Sequence, residues 1–169
     1  MKPHLLPIAA FLAALPGAVA ALEPLDPNAS VAFFGIHFID TSTEGAINGA
    51  RADEAARLAL LEEAVRERFL EEGFTLVDLA PVAEELSRTR NPADCNGCDL
   101  RMAERLEADY ALVGEVQKVS NLILAVNLAL REVESEELVR MLAVDIRGNT
   151  DESWLRGGRY ILNNHFFRE

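Results

Sequence analysis

Residues 110–147 read YALVGEVQKVSNLILAVNLALREVESEELVRMLAVDIR, and the fold turns on them. Three runs rich in Val, Leu, Ile and Ala are separated by Ser120-Asn121 and by the polar turn Glu134-Ser135-Glu136-Glu137. In the middle run Leu122, Leu124, Val126, Leu128 and Leu130 alternate with Asn121, Ile123, Ala125, Asn127 and Ala129, the period of a strand with two unlike faces. Connections this short join only antiparallel neighbours. Residues 110–119, 121–131 and 138–147 are therefore predicted to form a three-strand meander.

Upstream, Val31 to Ile39 is a continuous apolar run, as in a central strand covered on both faces. A polar, glycine-containing loop follows to about Gly49. Residues 53–72 carry Leu58, Leu61, Val65 and Phe69 at steps of three and four, an amphipathic helix with Gly73 at its C-terminal stop. Phe74 to Leu79 reads as a second strand, and Pro81 opens a helix at its favoured first position. Another helix starts near Cys98 and runs through Leu106. Downstream, Gly148 to Glu152 begins a closing helix; Asn149 and Glu152 have capping-box spacing, with Thr150 as the other cap candidate. Strand, helix, strand implies a right-handed crossover. The predicted class is α/β: a single mixed β-sheet, with a β-α-β half followed by an antiparallel meander, packed against helices.

The chain has 169 residues, a formal charge of −12 and 50% hydrophobic residues. That length suits one domain, and the composition is too apolar for a disordered chain. The acidic balance argues against a nucleic-acid partner, because nothing offsets phosphate repulsion. Residues 1–20 have a basic start at Lys2, an apolar run from Leu5 to Leu15 and Ala18-Val19-Ala20 at the end, which is the layout of a secretory signal peptide cleaved after Ala20. Its removal takes Lys2 and no acid, leaving a product one unit more negative. Ala21 stands where a lipoprotein would need cysteine, so no membrane anchor is expected after cleavage. Residues 21–30, with Pro24 and Pro27, read as an extended leader, and residues 31–169 as a single periplasmic α/β domain.

Two sets of residues carry a resemblance. Val31-Ala32-Phe33-Phe34, Phe69-Leu70-Glu71-Glu72-Gly73-Phe74, Leu76-Val77-Asp78 and Ala103 to Val116 together resemble the periplasmic α/β domain of the curli-secretion channel subunit, of penicillin-binding-protein activator lipoproteins and of the N-terminal part of the Tol propeller protein. Gln117 to Leu124 and Val144 to Trp154 are similar to a family of uncharacterised bacterial secreted proteins. The resemblance implies a binding or assembly domain of the cell envelope. The chain departs from the lipoproteins in lacking the anchoring cysteine.

Cys95 and Cys98 are the two cysteines, and in an oxidising compartment they have only each other as partners. They read as a structural disulfide or, in the alternative, as a redox-active pair, although Asp94 and Asp99 beside them disfavour a thiolate. Lys118 is the one lysine after the signal segment; strand alternation puts it on the face of Tyr110, Leu112 and Val116, where a salt bridge to a carboxylate is expected. Lys118, Asn121, Asp145, Arg147, Asn149, Asp151 and Trp154 form a candidate binding or structural polar cluster. Asp145 and Arg147 share a strand face and suggest an ion pair, with capping residues behind them. No phosphate loop, nucleophile elbow or His-Glu-x-x-His helix occurs, and His37 and His165 lack ligand spacing, so no catalytic residue, metal or cofactor is assigned. The leading expectation is an exported, non-catalytic periplasmic binding or accessory domain acting on an envelope protein or small ligand. A thiol-disulfide accessory protein is the alternative, and an enzyme using Asp145, Arg147 and a histidine is third.

Overall fold

Gly35 sets the shape of the first strand. The computed structural model describes residues 23–168, so the predicted signal peptide and its cleavage point lie outside the described residues. Strand β1 (Ser30–Asp40) runs parallel to β3 (Tyr110–Ser120), and the pairing slips between Phe33 and Ile36, where Gly35 sits at φ +85°. This bulge adds one residue and exchanges the two faces of the strand. Before it, Val31 and Phe33 point to the main core and Ala32 and Phe34 to a second core. Beyond it Ile36 and Phe38 take the main-core side. The apolar run is thus covered on both faces only over its first half; His37 and Ile39 are half-exposed. The freed Ile36 amide donates to Glu62 Oε1 at 2.7 Å.

The elements follow in the order α1 (Thr43–Asn48), α2 (Ala52–Glu71), β2 (Thr75–Leu76), α3 (Ala83–Arg88) and α4 (Cys98–Arg105), then β3, β4 (Ile123–Glu132), β5 (Leu138–Arg147) and α5 (Asp151–Ile161). They build one mixed five-stranded sheet of order β2-β1-β3-β4-β5, in which β1 is parallel to β2 and β3, and β4 is antiparallel to β3 and β5. Helices α2 and α5 cover one face. Phe33, Leu112, Leu130, Leu61, Phe69 and Trp154 are buried there. The short helices α3 and α4 cover only part of the other face, over Ala32, Ala111 and Val113.

Three expectations are corrected. The second strand pairs over Thr75–Leu76 alone, because the Asp78 carboxylate accepts the Ala80 amide at 3.0 Å and turns the chain into a 3-10 turn at Ala80–Val82. The loop after β1 contains α1, capped by Ser42, whose hydroxyl accepts the Gly45 amide at 3.0 Å. No residue of α1 is buried, so no apolar periodicity announced it. Leu122 lies in the β3–β4 turn and is 72% exposed, while Leu124, Val126, Leu128 and Leu130 are buried.

Candidate functional site

Lys118 is the one lysine of the described residues, and its side chain is fully buried. It stands near the C-terminal end of β3, in a cross-sheet row with Asp40, Leu124 and Ile146. Its ammonium donates to Glu54 Oε1 at 2.7 Å, Asp40 Oδ2 at 3.2 Å and Glu44 Oε2 at 3.4 Å. The three acids come from the end of β1, the start of α1 and the first turn of α2. Asp40 is held in turn by Ser42, whose amide and hydroxyl donate to Oδ1 at 2.8 and 2.5 Å. A side chain at position 45 would overlap the Asp40 carboxylate, so this approach requires Gly45.

A second layer closes the cluster. Asn149, from the β5–α5 turn, donates to Glu54 Oε1 at 2.7 Å, and its own Oδ1 accepts from Trp154 Nε1 at 3.0 Å. Asn121 donates to Glu44 and accepts from Asn149 at 3.3 Å. Arg57 reaches Asp151 and Asp53 at 3.0 Å each. Trp154 is fully buried, with its ring 5.7 Å from Phe38. Three stretches that are distant in sequence, residues 40–57, 118–121 and 149–154, therefore meet around one ammonium group.

Of the seven residues of the candidate cluster, Lys118, Asn121, Asn149, Asp151 and Trp154 come together here. Asp145 and Arg147 do not; they are exposed on the opposite face of β5, and no ion pair joins them. The helix cap is Thr150, which forms a capping box with Ser153, and Asn149 is released to face Glu54. Asp40, Glu44 and Glu54 went unremarked in the sequence, because a lone acid near a loop or on a helix's first turn is ordinary. The one available signal was a lysine on an apolar strand face, which demands acids from somewhere.

The electrostatics fix the chemical state. Burial works against the Lys118 charge, but hydrogen bonds to Glu54 and Asp40 outweigh it and raise its pKa. Burial likewise opposes Asp40 ionisation, yet the Ser42 donors and Lys118 hold it below the usual carboxylate range. A nucleophilic lysine needs a lowered pKa, and a general acid or base needs one near neutrality. Neither condition is met. Lys118 and Asp40 are thus held as a fixed pair of opposite charges.

The sign of the pH dependence follows. The lowered pKa of Asp40, and that of Asp109 under its Ser30 amide and hydroxyl donors, contributes stability that is present above about pH 4 and lost as pH falls further. The raised Lys118 pKa contributes fully below about pH 10.4 and is lost above it. Thermal unfolding followed by circular dichroism should show a midpoint that is flat near neutrality and falls at both extremes.

Cys95 and Cys98 are joined in a disulfide with a Cα–Cα distance of 5.5 Å. It holds the turn before α4, where Cys98 and Asp99 are buried and Asp99 faces Arg131 at 3.4 Å. The double Cys95→Ser/Cys98→Ser variant should lose about 2 kcal/mol in denaturant unfolding, the chain-entropy value for so small a loop. Among the described residues, no group of His, Cys, Asp and Glu is arranged to hold a metal, and no helix is long and apolar enough to cross a membrane.

A family model described as a protein of unknown function (DUF2380) matches residues 29–166. No curated protein matches the chain. Among solved structures, the LpoB C-terminal domain from Salmonella enterica is 16% identical, covers 71% of this chain and 83% of its own, and superposes with a TM-score of 0.51. The PelC dodecamer from Paraburkholderia phytofirmans is 12% identical, over 85% of this chain and 92% of that one, at 0.49. Lipoprotein GNA1162 from Neisseria meningitidis is 17% identical, over 73% and 83%, at 0.45. At such identities the likeness is one of fold.

Proposed function

We propose that this chain, which belongs to the DUF2380 family of proteins of unknown function, is an exported, non-catalytic binding or accessory domain that acts on a protein of the cell envelope. One observation carries the reading. Among the described residues, half of one sheet face has no helix over it: the cross-strand rows His37–Glu115–Asn127–Ala143 and Ile39–Gln117–Ala125–Asp145 are half-exposed or exposed. Met141 beside them is 48% exposed, and the buried Oδ1 of Asn127 has no hydrogen-bond partner among the described residues. A protein that spends its buried charges on one another and leaves a sheet face open is built to hold a shape and present a surface. The fold shared with the LpoB C-terminal domain, and the apolar N-terminal segment ending Ala18-Val19-Ala20, support an envelope setting.

In-cell crosslinking followed by mass spectrometry tests this. At least one envelope protein should be enriched over an unrelated exported control. If none is enriched, the protein-binding role fails. The Cys95→Ser/Cys98→Ser variant should capture the same protein as the parent; loss of capture by a folded variant would favour a redox role instead.

A further inference from the structure

Among the described residues β5 is an open edge, with β4 on one side and no strand on the other. The Gly148 amide donates to the Leu122 carbonyl at 3.2 Å. By the alternation of antiparallel pairing, even-numbered residues of β5 then exchange hydrogen bonds with β4, while Met141, Ala143, Asp145 and Arg147 turn their backbone groups outward. Natural sheets blunt such edges with short strands, proline or charges; β5 has ten residues and no proline, and among its outward positions only Asp145 and Arg147 are charged. Along this edge, between β5 and α5, runs a groove of about 440 Å3. Val144, Ile146 and Gly157 form its apolar floor, and Arg156 and Tyr160 its exposed wall. The missing Cβ of Gly157 lets α5 sit close on Ile146, where an added Cβ would come within 2.7 Å of Cγ2.

This edge is far less acidic than the molecule as a whole. The chain carries 28 acids and 16 bases, but at this edge Arg156, on the groove side, and Arg147, on the opposite face of β5, stand against only Asp145 and Glu152. Arg156 is engaged only by the exposed Glu152 at 3.4 Å, a pair that water screens, and Arg147 has no ion-pair partner among the described residues.

We infer that the β5 edge docks an acidic extended segment of a partner protein, which adds to the sheet as a further strand. Backbone hydrogen bonds to the outward groups supply register, the groove takes apolar side chains beside Tyr160, and Arg147 and Arg156 receive carboxylates. This rests on the binding role proposed above and names its surface and the chemistry of the partner.

The test uses the purified protein and a labelled peptide of the length of β5, in which glutamate and valine alternate, with a lysine–valine peptide as control. Fluorescence anisotropy at low salt should show saturable binding of the acidic peptide and at least tenfold weaker binding of the basic one. Ala143→Pro, which removes one outward amide at a position where an edge tolerates proline, should weaken binding at least tenfold while circular dichroism stays unchanged. The double variant Arg147→Glu/Arg156→Glu should do the same. Equal binding of both peptides, or undiminished binding to folded variants, overturns the inference. A dimer in light scattering that Ala143→Pro dissociates also overturns it, making the edge a self-interface. Protein capture in cells that survives Ala143→Pro would sink this inference and leave the binding role standing, whereas no capture by the parent protein sinks the role itself.

Discussion

Lys118→Met should cost about 3–5 kcal/mol in equilibrium unfolding, the range for breaking a buried ion pair by removing one partner. The methionine fills nearly the same space, so the loss is electrostatic. Without the ammonium, Glu44 keeps Arg51 at 2.9 Å, but Asp40 and Glu54 lose their ion-pair partner among the described residues. Glu54 is the worst placed: its side chain is 1% exposed, Oε1 keeps only the Asn149 donor, and Oε2 is buried without a partner. For a domain whose whole stability is of order 5–15 kcal/mol, such a loss approaches unfolding at growth temperature. Adding Glu54→Gln should restore part of it, since the neutral amide no longer needs the cation. If the double variant lost the sum of the two single losses, the two residues would not be coupled.

Trp154→Ala, taken alone, should cost about 3–5 kcal/mol, the range for truncating a fully buried large aromatic residue. The indole, on α5, is buried in the main core against Phe38, and its Nε1 fixes Asn149, which in turn fixes Glu54. Trp154→Phe separates these roles. It keeps most of the packing and drops only the hydrogen bond, and Asn149 Oδ1 retains a donor in Arg57 at 3.4 Å. A loss near 1 kcal/mol is then expected. A loss as large as that of the alanine variant would mean that the hydrogen bond, not packing, holds the corner together.

The alternation of Leu124, Val126, Leu128 and Leu130 announced a strand with one buried face, and the short turns around it announced the meander. The run Val31 to Ile39 announced a strand but not its bulge. Apolar residues continue through Gly35 on both sides, and only tertiary pairing with β3 reveals that the faces exchange there. β2 was overread because strand-forming residues continue past Leu76, while a side-chain turn at Asp78 had already diverted the backbone. For the site, Lys118 was legible as a charge on a buried face. Its partners were not, since Asp40, Glu44 and Glu54 lie 78, 74 and 64 residues away, and no local pattern links them. Asp145 and Arg147 shared a face as alternation required, but that face is the open one.

Lys118 and its carboxylates act as an internal lock on this corner of the fold. The pH dependence of the Lys118→Met penalty, followed by denaturant unfolding of parent and variant from neutral pH down through the carboxylate range, probes this directly. The parent should lose stability as pH falls, because Asp40 is ionised and paired in the folded state. In the variant, protonation instead relieves the uncompensated acids, so the gap between the two proteins should be widest near pH 7 and narrow steadily on acidification. A gap that is constant with pH, or a variant as stable as its parent at neutrality, would show that the lysine charge does not hold this corner of the fold.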